Sequence, residues 1–94
     1  MRILASEQVQ DWLRNLPPQT RRRVRLALRG LEREEGDILA LRGDLSGFLR
    51  LRIGGYRIIY SVLPGQVVRL EYADERDWVY ERFRLLLDES AGSG

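Results

Sequence analysis

The spacing of hydrophobic residues changes twice along the chain, and each change predicts a different type of element. Near the N-terminus, apolar residues recur every three or four positions on both sides of Pro17-Pro18, which predicts two amphipathic helices. Ser6 is a suitable N-cap for the first helix, and Gly36 follows the second at the position where glycine commonly ends a helix. We therefore predict an N-terminal helical hairpin over about residues 6–35, preceded by residues 2–4, which could form a short strand.

From Phe48 onward, apolar and polar residues alternate, which is the period of a half-buried strand. Turn sequences at Gly54-Gly55 and Pro64-Gly65 divide this region into three strands of an antiparallel meander. Helical spacing returns over about residues 75–87. These elements predict an α+β fold in which the helical hairpin packs on a small twisted antiparallel sheet, with a C-terminal helix. We expect residues 1–88 to form a single domain and residues 89–94 a flexible C-terminal tail.

Alternation along the strands sorts their side chains onto two faces of the predicted sheet. The face expected to pack against the helices is apolar and consists of Leu49, Leu51, Ile53, Tyr56, Ile58, Tyr60, Val68, Leu70 and Tyr72. The opposite face carries Glu71 and four arginines that we call the arginine platform: Arg50, Arg52, Arg57 and Arg69. This face is either a solvated surface, paired with nearby carboxylates such as Asp74, or a surface that binds polyanions.

The composition narrows the chemistry available to this face. All 16 basic residues are arginine, whose planar guanidinium matches phosphate and stacks on bases, and the net charge is +2. Because the chain contains no cysteine and no histidine, we expect no metal site, no cofactor and no catalytic Ser-His or Cys-His pair. No apolar run approaches the roughly 20 residues of a membrane span, and no signal peptide is recognisable. We therefore expect a cytoplasmic protein with no membrane partner.

Two stretches, "LRGDLSGFLRLRIGGYRIIYSV" and "RLEYADERDWVYERF", resemble the RelE/ParE toxin superfamily of type II toxin–antitoxin systems. The resemblance covers about residues 41–83. For the RelE branch, it implies cleavage of mRNA in the A site of the 70S ribosome. For the ParE branch, it implies inhibition of DNA gyrase. A third alternative is an inert member that only binds its antitoxin. All three alternatives imply a cognate antitoxin, and the pattern favours the RelE-like one.

The resemblance also suggests roles for particular residues. It implies that Arg50, Arg52 and Arg57 bind and neutralise the scissile phosphate. Arg76 would assist them, and Tyr80 would transfer a proton or stack on a base. The chain departs from the family pattern at three positions: Phe48 and Asp74 stand where some members have basic residues, and Glu75 where many have histidine.

Cleavage of RNA without a metal needs a base to take the proton of the 2′-hydroxyl, and arginine cannot serve as one. Glu71 and Glu75 are the candidate bases, although Glu71 could instead form a cross-strand salt bridge with Arg57 or Arg52. Tyr80 could equally pack on the sheet. Further candidate RNA-binding residues are Phe48, which could stack a base or cap the sheet edge, Arg69, Arg21, Arg22 and Arg25. The last three could instead form a solvated helix face.

Overall fold

The computed structural model describes residues 1–92 as one five-stranded sheet with three α-helices. The strands occur in the sheet in the order β1-β5-β4-β3-β2. Two single-turn 3-10 helices, Leu31–Arg33 and Gly43–Leu45, lie in the connections on either side of β2. In chain order, the elements are β1 (Arg2–Ala5), α1 (Glu7–Arg14), α2 (Pro18–Gly30), β2 (Asp37–Ala40), β3 (Leu49–Ile53), β4 (Tyr56–Leu63), β5 (Val67–Glu75) and α3 (Trp78–Gly92).

Both predicted N-terminal helices form, and the sequence places their starts correctly. Helix α2 ends at Gly30, however, before the predicted end at about residue 35, and the 3-10 helix Leu31–Arg33 follows it. The Ser6 hydroxyl accepts a hydrogen bond from the Val9 N–H at 3.2 Å and caps α1. Pro18 is the first residue of α2, where its missing N–H removes no helical hydrogen bond. The N-terminal helical hairpin is corrected in one respect, because the chain starts with strand β1 and both helices follow it.

The sheet is larger and more mixed than the predicted meander. Strands β3, β4 and β5 are antiparallel as predicted. The prediction of a wholly antiparallel sheet is wrong, because β1 pairs with β5 in parallel. The second addition is β2, which pairs antiparallel with β3 and forms the other edge of the sheet. Strand β1 forms where the sequence allows a short strand at residues 2–4, whereas β2, four residues long, is too short for its periodicity to be recognised.

A bulge in β5 changes which of its side chains face the helices α1 and α2. Ile59 lies opposite Tyr72, but Tyr60 lies opposite Leu70, so Glu71 is an extra residue. The alternation therefore reverses after Leu70. This corrects the predicted position of Tyr72, which packs on the other face of the sheet, while Ala73 takes the position facing α1 and α2.

As a result, buried cores occupy both faces of the sheet. The first core includes residues of α1 and α2 such as Val9, Val24 and Leu28 packed on Leu51 and Ile58. The second core lies between the sheet and α3 and consists of Leu45, Ile59, Tyr72, Val79 and Phe83. Helix α3 therefore covers part of the face that carries the arginine platform.

The C-terminal helix α3 extends to the last of the described residues. Helix α3 continues to Gly92, so residues 89–92 of the predicted tail form its last part, and residues 93–94 lie outside the described residues. Within residues 1–92, we find no helix with the length and apolar character that crossing a membrane requires.

Candidate nucleic-acid interface

A row of charged residues crosses four strands at one end of the sheet. Asp37 lies opposite Arg52, which lies opposite Arg57, which in turn lies opposite Asp74. Like charges directly opposite each other on neighbouring strands are destabilising, whereas opposite charges attract. The two outer aspartates therefore offset the repulsion between the two central arginines. Arg50 is two residues from Arg52 on the same strand and extends this cluster along β3.

Asp37 on β2 holds two platform arginines. The Arg50 Nη2 donates to Asp37 Oδ1 at 2.7 Å and to the Asp37 carbonyl at 3.3 Å. The other carboxylate oxygen, Oδ2, is 4.0 Å from Arg52 Nε. The Arg50 side chain is only 12% exposed, whereas that of Arg52 is 51% exposed. Asp37 therefore orients one mostly buried and one open guanidinium.

Asp77, just before α3, provides the corresponding partner for Arg57. The Arg57 Nε is 3.4 Å from Asp77 Oδ1, and Nη1 donates to the Gly54 carbonyl at 3.2 Å. Only 11% of the Arg57 side chain is exposed. The Nε atoms of Arg50 and Arg57 are buried and have no hydrogen-bond acceptor within the described residues. Arg57 Nε therefore contacts Asp77 as an ion pair without a well-aligned hydrogen bond, and Arg50 pairs with Asp37 through its Nη2.

Arg69 and Glu71 form a separate pair rather than part of this cluster. Glu71 Oε2 accepts hydrogen bonds from Ser61 Oγ at 2.6 Å and from Arg69 Nε at 2.8 Å. Ser61 is four residues beyond Arg57 on β4, which places the pair about 13 Å farther along the sheet. The predicted salt bridge of Glu71 with Arg57 or Arg52 is therefore replaced by one with Arg69.

Three further predicted residues lie at the start of helix α3, on it or against it. Arg76 has a left-handed backbone (φ +51°), and its N–H donates to the Gly55 carbonyl at 2.6 Å, which ties the start of α3 to the β3–β4 turn. Tyr80 is half-buried against the second core. Phe48 packs edge-on against Phe83 with ring centroids 5.0 Å apart. Phe48 is thus half-buried and packs against the second core.

The remaining candidates lie on the other side of the sheet. Glu75 lines a groove with the α1 residues Gln8 and Trp12 and does not reach the platform. Arg22 and Arg25 are exposed on α2, which packs against the first core. Four of the five residues to which the resemblance gives catalytic roles are arginines near the β3–β4 turn. Glu75 is adjacent to one of them, Arg76, but faces the other side of the sheet, and Arg22 and Arg25 lie on that side as well.

Arg21 has a structural role at the junction of α1 and α2. Its Nε donates to the Leu13 carbonyl at 3.0 Å, and its Nη2 donates to the carbonyls of Arg14 and Leu16 at 3.1 and 2.9 Å. Carbonyls at a helix C-terminus have no partner within the helix, and a cation there also interacts favourably with the helix dipole. These contacts occupy the guanidinium that the sequence suggested for RNA binding.

A second polar cluster near the platform was not predicted. The Tyr72 hydroxyl donates to Asp74 Oδ2 at 3.4 Å, and Arg82 on α3 forms an ion pair with the same carboxylate oxygen. Burial, followed by the Asp74 charge, raises the pKa of Tyr72, which keeps its phenol protonated near neutral pH. The hydrogen bond to Asp74 raises the pKa of Arg82. The sequence carries no local signal for this contact, because Arg82 and Asp74 belong to different elements.

Comparison with known proteins places this arrangement in a recognised fold. The chain matches no protein-family model and no curated protein sequence. Among solved structures, it is similar to a RelB-RelE antitoxin-toxin complex from Methanococcus jannaschii, with 24% identity and a TM-score of 0.64 over 85% of this chain and 98% of that chain. The chain has a RelE-like toxin fold. The chain is also similar to YafQ from E. coli, with 15% identity and a TM-score of 0.57 over 80% of this chain and 93% of that chain.

A further similar structure is the YoeB-YefM toxin-antitoxin complex from Staphylococcus aureus, with 16% identity, a TM-score of 0.66 and coverage of 81% of this chain and 97% of that chain. These likenesses confirm the predicted α+β class. On this RelE-like fold, the cluster of Arg50, Arg52 and Arg57 can bind a phosphate group through charge-assisted hydrogen bonds. Neither candidate base contacts this arginine cluster: Glu71 is hydrogen-bonded to Ser61 and Arg69, and Glu75 lies on the opposite face of the sheet.

Proposed function

We propose that this protein is the toxin of a type II toxin–antitoxin pair and cleaves mRNA on the 70S ribosome without a metal or other cofactor. The observation that carries this proposal is the cluster of Arg50, Arg52 and Arg57, oriented by Asp37 and Asp77 at one end of the sheet of a RelE-like fold. The solved relatives named as antitoxin complexes support a cognate antitoxin as the stable partner.

The proposed reaction uses the RNA as its own nucleophile. The 2′-hydroxyl gives up its proton to a base and attacks the adjacent phosphorus. The bond to the 5′-oxygen breaks, this oxygen takes up a proton and leaves as a hydroxyl, and a 2′,3′-cyclic phosphate remains. Guanidiniums aimed at the phosphate stabilise the charge that builds up on its oxygens. Arg52 and Arg57 supply this charge, and Arg50 reinforces it. Arg76 has no ion pair or side-chain hydrogen bond within residues 1–92, so its cation remains free for the substrate.

Proton transfer is assigned to Tyr80. It lies on α3 three residues after Asp77, which contacts Arg57, and Tyr80 N–H bonds the Asp77 carbonyl at 3.3 Å. The ribosome would contribute by orienting the message, because proximity and orientation supply a large part of a bimolecular barrier.

The test is primer extension on a defined message in a purified translation system, with and without ribosomes. We expect discrete cuts at A-site codons that need ribosomes. Arg57→Ala should slow cleavage by about 100-fold or more, as expected for loss of a charge-stabilising donor. Tyr80→Phe should slow it by about 10²–10⁴-fold, as expected for loss of an acid or base.

Arg22→Ala is the matched control, since it removes an exposed arginine from the opposite side of the sheet and should cleave at the wild-type rate. Circular dichroism of each variant verifies that it is folded. Intact message with the wild-type protein would refute the nuclease proposal. Inhibition of DNA gyrase supercoiling under the same conditions would then assign the ParE-like activity instead.

A further inference from the structure

Trp78, the first residue of α3, exposes a large aromatic ring to solvent. Its side chain is 61% exposed, although the neighbouring Val79 is completely buried in the second core. An indole ring exposed in this way offers a large, flat aromatic surface to a partner. Every nucleobase can stack on such a ring, which is how many proteins bind single-stranded nucleic acid.

Two arginines accompany the ring. The Arg82 guanidinium lies 5.6 Å from the centroid of the Trp78 ring and is held there by Asp74. Arg76, Trp78 and Arg82 line a surface cleft of about 530 Å³ together with Asp77 and Glu81. This volume falls within the range of clefts that hold small organic ligands.

The cleft lies next to the arginine platform. Asp77, which precedes Trp78 in the chain, contacts Arg57, and the Arg76 N–H is bonded to the β3–β4 turn that follows Arg52. A strand of RNA whose phosphate lies at Arg57 would therefore bring a neighbouring base to the tryptophan.

The charges of the cleft favour a nucleotide over an apolar peptide. Arg76 has no acidic partner within residues 1–92, whereas the carboxylate of Asp77 is already paired with Arg57. Glu81 has no partner in the described part of the chain and can accept a hydrogen bond from the amino group of a base. The cleft thus offers a stacking surface, a free cation for phosphate and an acceptor for a base edge.

We propose that Trp78, flanked by Arg76 and Arg82, is a base-stacking site for the RNA nucleotide adjacent to the one held at the platform. This proposal rests on the proposed function, because it assumes that single-stranded RNA reaches Arg57. It adds a binding residue that does not belong to the predicted catalytic set.

The test measures binding of a short fluorescently labelled single-stranded RNA to the free protein by anisotropy. Trp78→Ala should weaken binding about 5- to 100-fold, which is the effect of losing one stacked base. Trp78→Phe should retain most of the affinity. Leu85→Ala is the matched control: Leu85 is 57% exposed on the same helix but lies outside the cleft, and its loss should leave affinity unchanged.

A second measurement reports stacking directly. In a Trp12→Phe background, Trp78 is the single tryptophan, and titration with unlabelled RNA should quench its fluorescence, whereas inorganic polyphosphate should not. Equal affinities for Trp78→Ala and Leu85→Ala, or no quenching by RNA, would overturn the stacking site. Because these assays need no ribosome, a wild-type protein that binds RNA through Trp78 but leaves messages intact would refute only the nuclease proposal.

Discussion

Each central arginine of the platform has an aspartate from a neighbouring element as its partner. Asp37 comes from β2 and Asp77 from the segment before α3, so neither belongs to the strands that carry the arginines. Both carboxylates are more than half exposed. Such ion pairs contribute only about 0–1 kcal/mol to stability. Their main effect is therefore to orient the guanidiniums and to reduce the positive potential of the site.

Replacement of Asp37 by asparagine separates these two effects. Asp37→Asn should tighten RNA binding by roughly threefold to fivefold, since a carboxylate about 4 Å from a phosphate costs about 1 kcal/mol in water. It should also slow cleavage, by up to about 100-fold, because Arg50 and Arg52 lose their orienting partner. Single-turnover kinetics over a range of protein concentrations measures both quantities.

Asp44→Asn is the control for Asp37→Asn, because it makes the same change of charge at a residue that pairs with Arg84 on α3. If both variants changed affinity and rate equally, net charge alone would explain the effect, and Asp37 would have no positioning role.

At the scale of elements, the arginines of α2 divide into two groups. Arg21 reaches back across the turn and donates to two carbonyls at the end of α1 and to one just after it, while Arg22 and Arg25 extend from the exposed side of α2. The sequence "RRRVR" gives no means of telling these residues apart. Only the crossing of α1 and α2 decides which arginine meets the open end of α1.

This division predicts unequal stabilities. Arg21→Ala should lower the free energy of unfolding by about 1–3 kcal/mol, because it removes charge-assisted hydrogen bonds from helix-terminal carbonyls. Arg22→Ala should change it by less than about 0.5 kcal/mol, as is usual for an exposed surface position. Urea denaturation followed by circular dichroism measures both values. Equal losses for the two variants would contradict the structural role of Arg21.

For the whole molecule, the sheet connects two cores that lie on opposite faces. Ile58 and Ile59 are adjacent on β4 and both are 0% exposed, yet Ile58 belongs to the core under α1 and α2, and Ile59 to the core under α3. A chain of 94 residues has little apolar material for two independent cores. We therefore expect the two cores to unfold together.

The adjacent isoleucines provide a matched pair for testing this cooperativity. Ile58→Ala and Ile59→Ala should each cost about 2–5 kcal/mol, as expected for large-to-small changes in a packed core. Tryptophan fluorescence and circular dichroism should give the same transition for each variant. If Ile59→Ala released α3 before the rest of the protein unfolded, two separate transitions would appear and the single-unit prediction would be wrong.

The sequence alone determined those features that depend on neighbours along the chain. The Ser6 cap of α1, the start of α2 at Pro18, the hairpin of β3 and β4 and the row of arginines follow from local periodicity and turn residues, which act over a few positions. The same residues carried the resemblance to RelE toxins, and the RelE-like fold of the chain confirms that resemblance.

Contacts between distant segments were decided only by the tertiary structure. The parallel pairing of Arg2 with Val67, the bulge at Glu71 and the packing of Phe48 on Phe83 all depend on which surfaces meet after folding. So do the aspartate partners of Arg50 and Arg57. Periodicity assigns a residue to a face of its own element, but it contains no information about what covers that face. The sequence therefore located the arginines, and the three-dimensional packing determined which of them are held together and which remain free to bind.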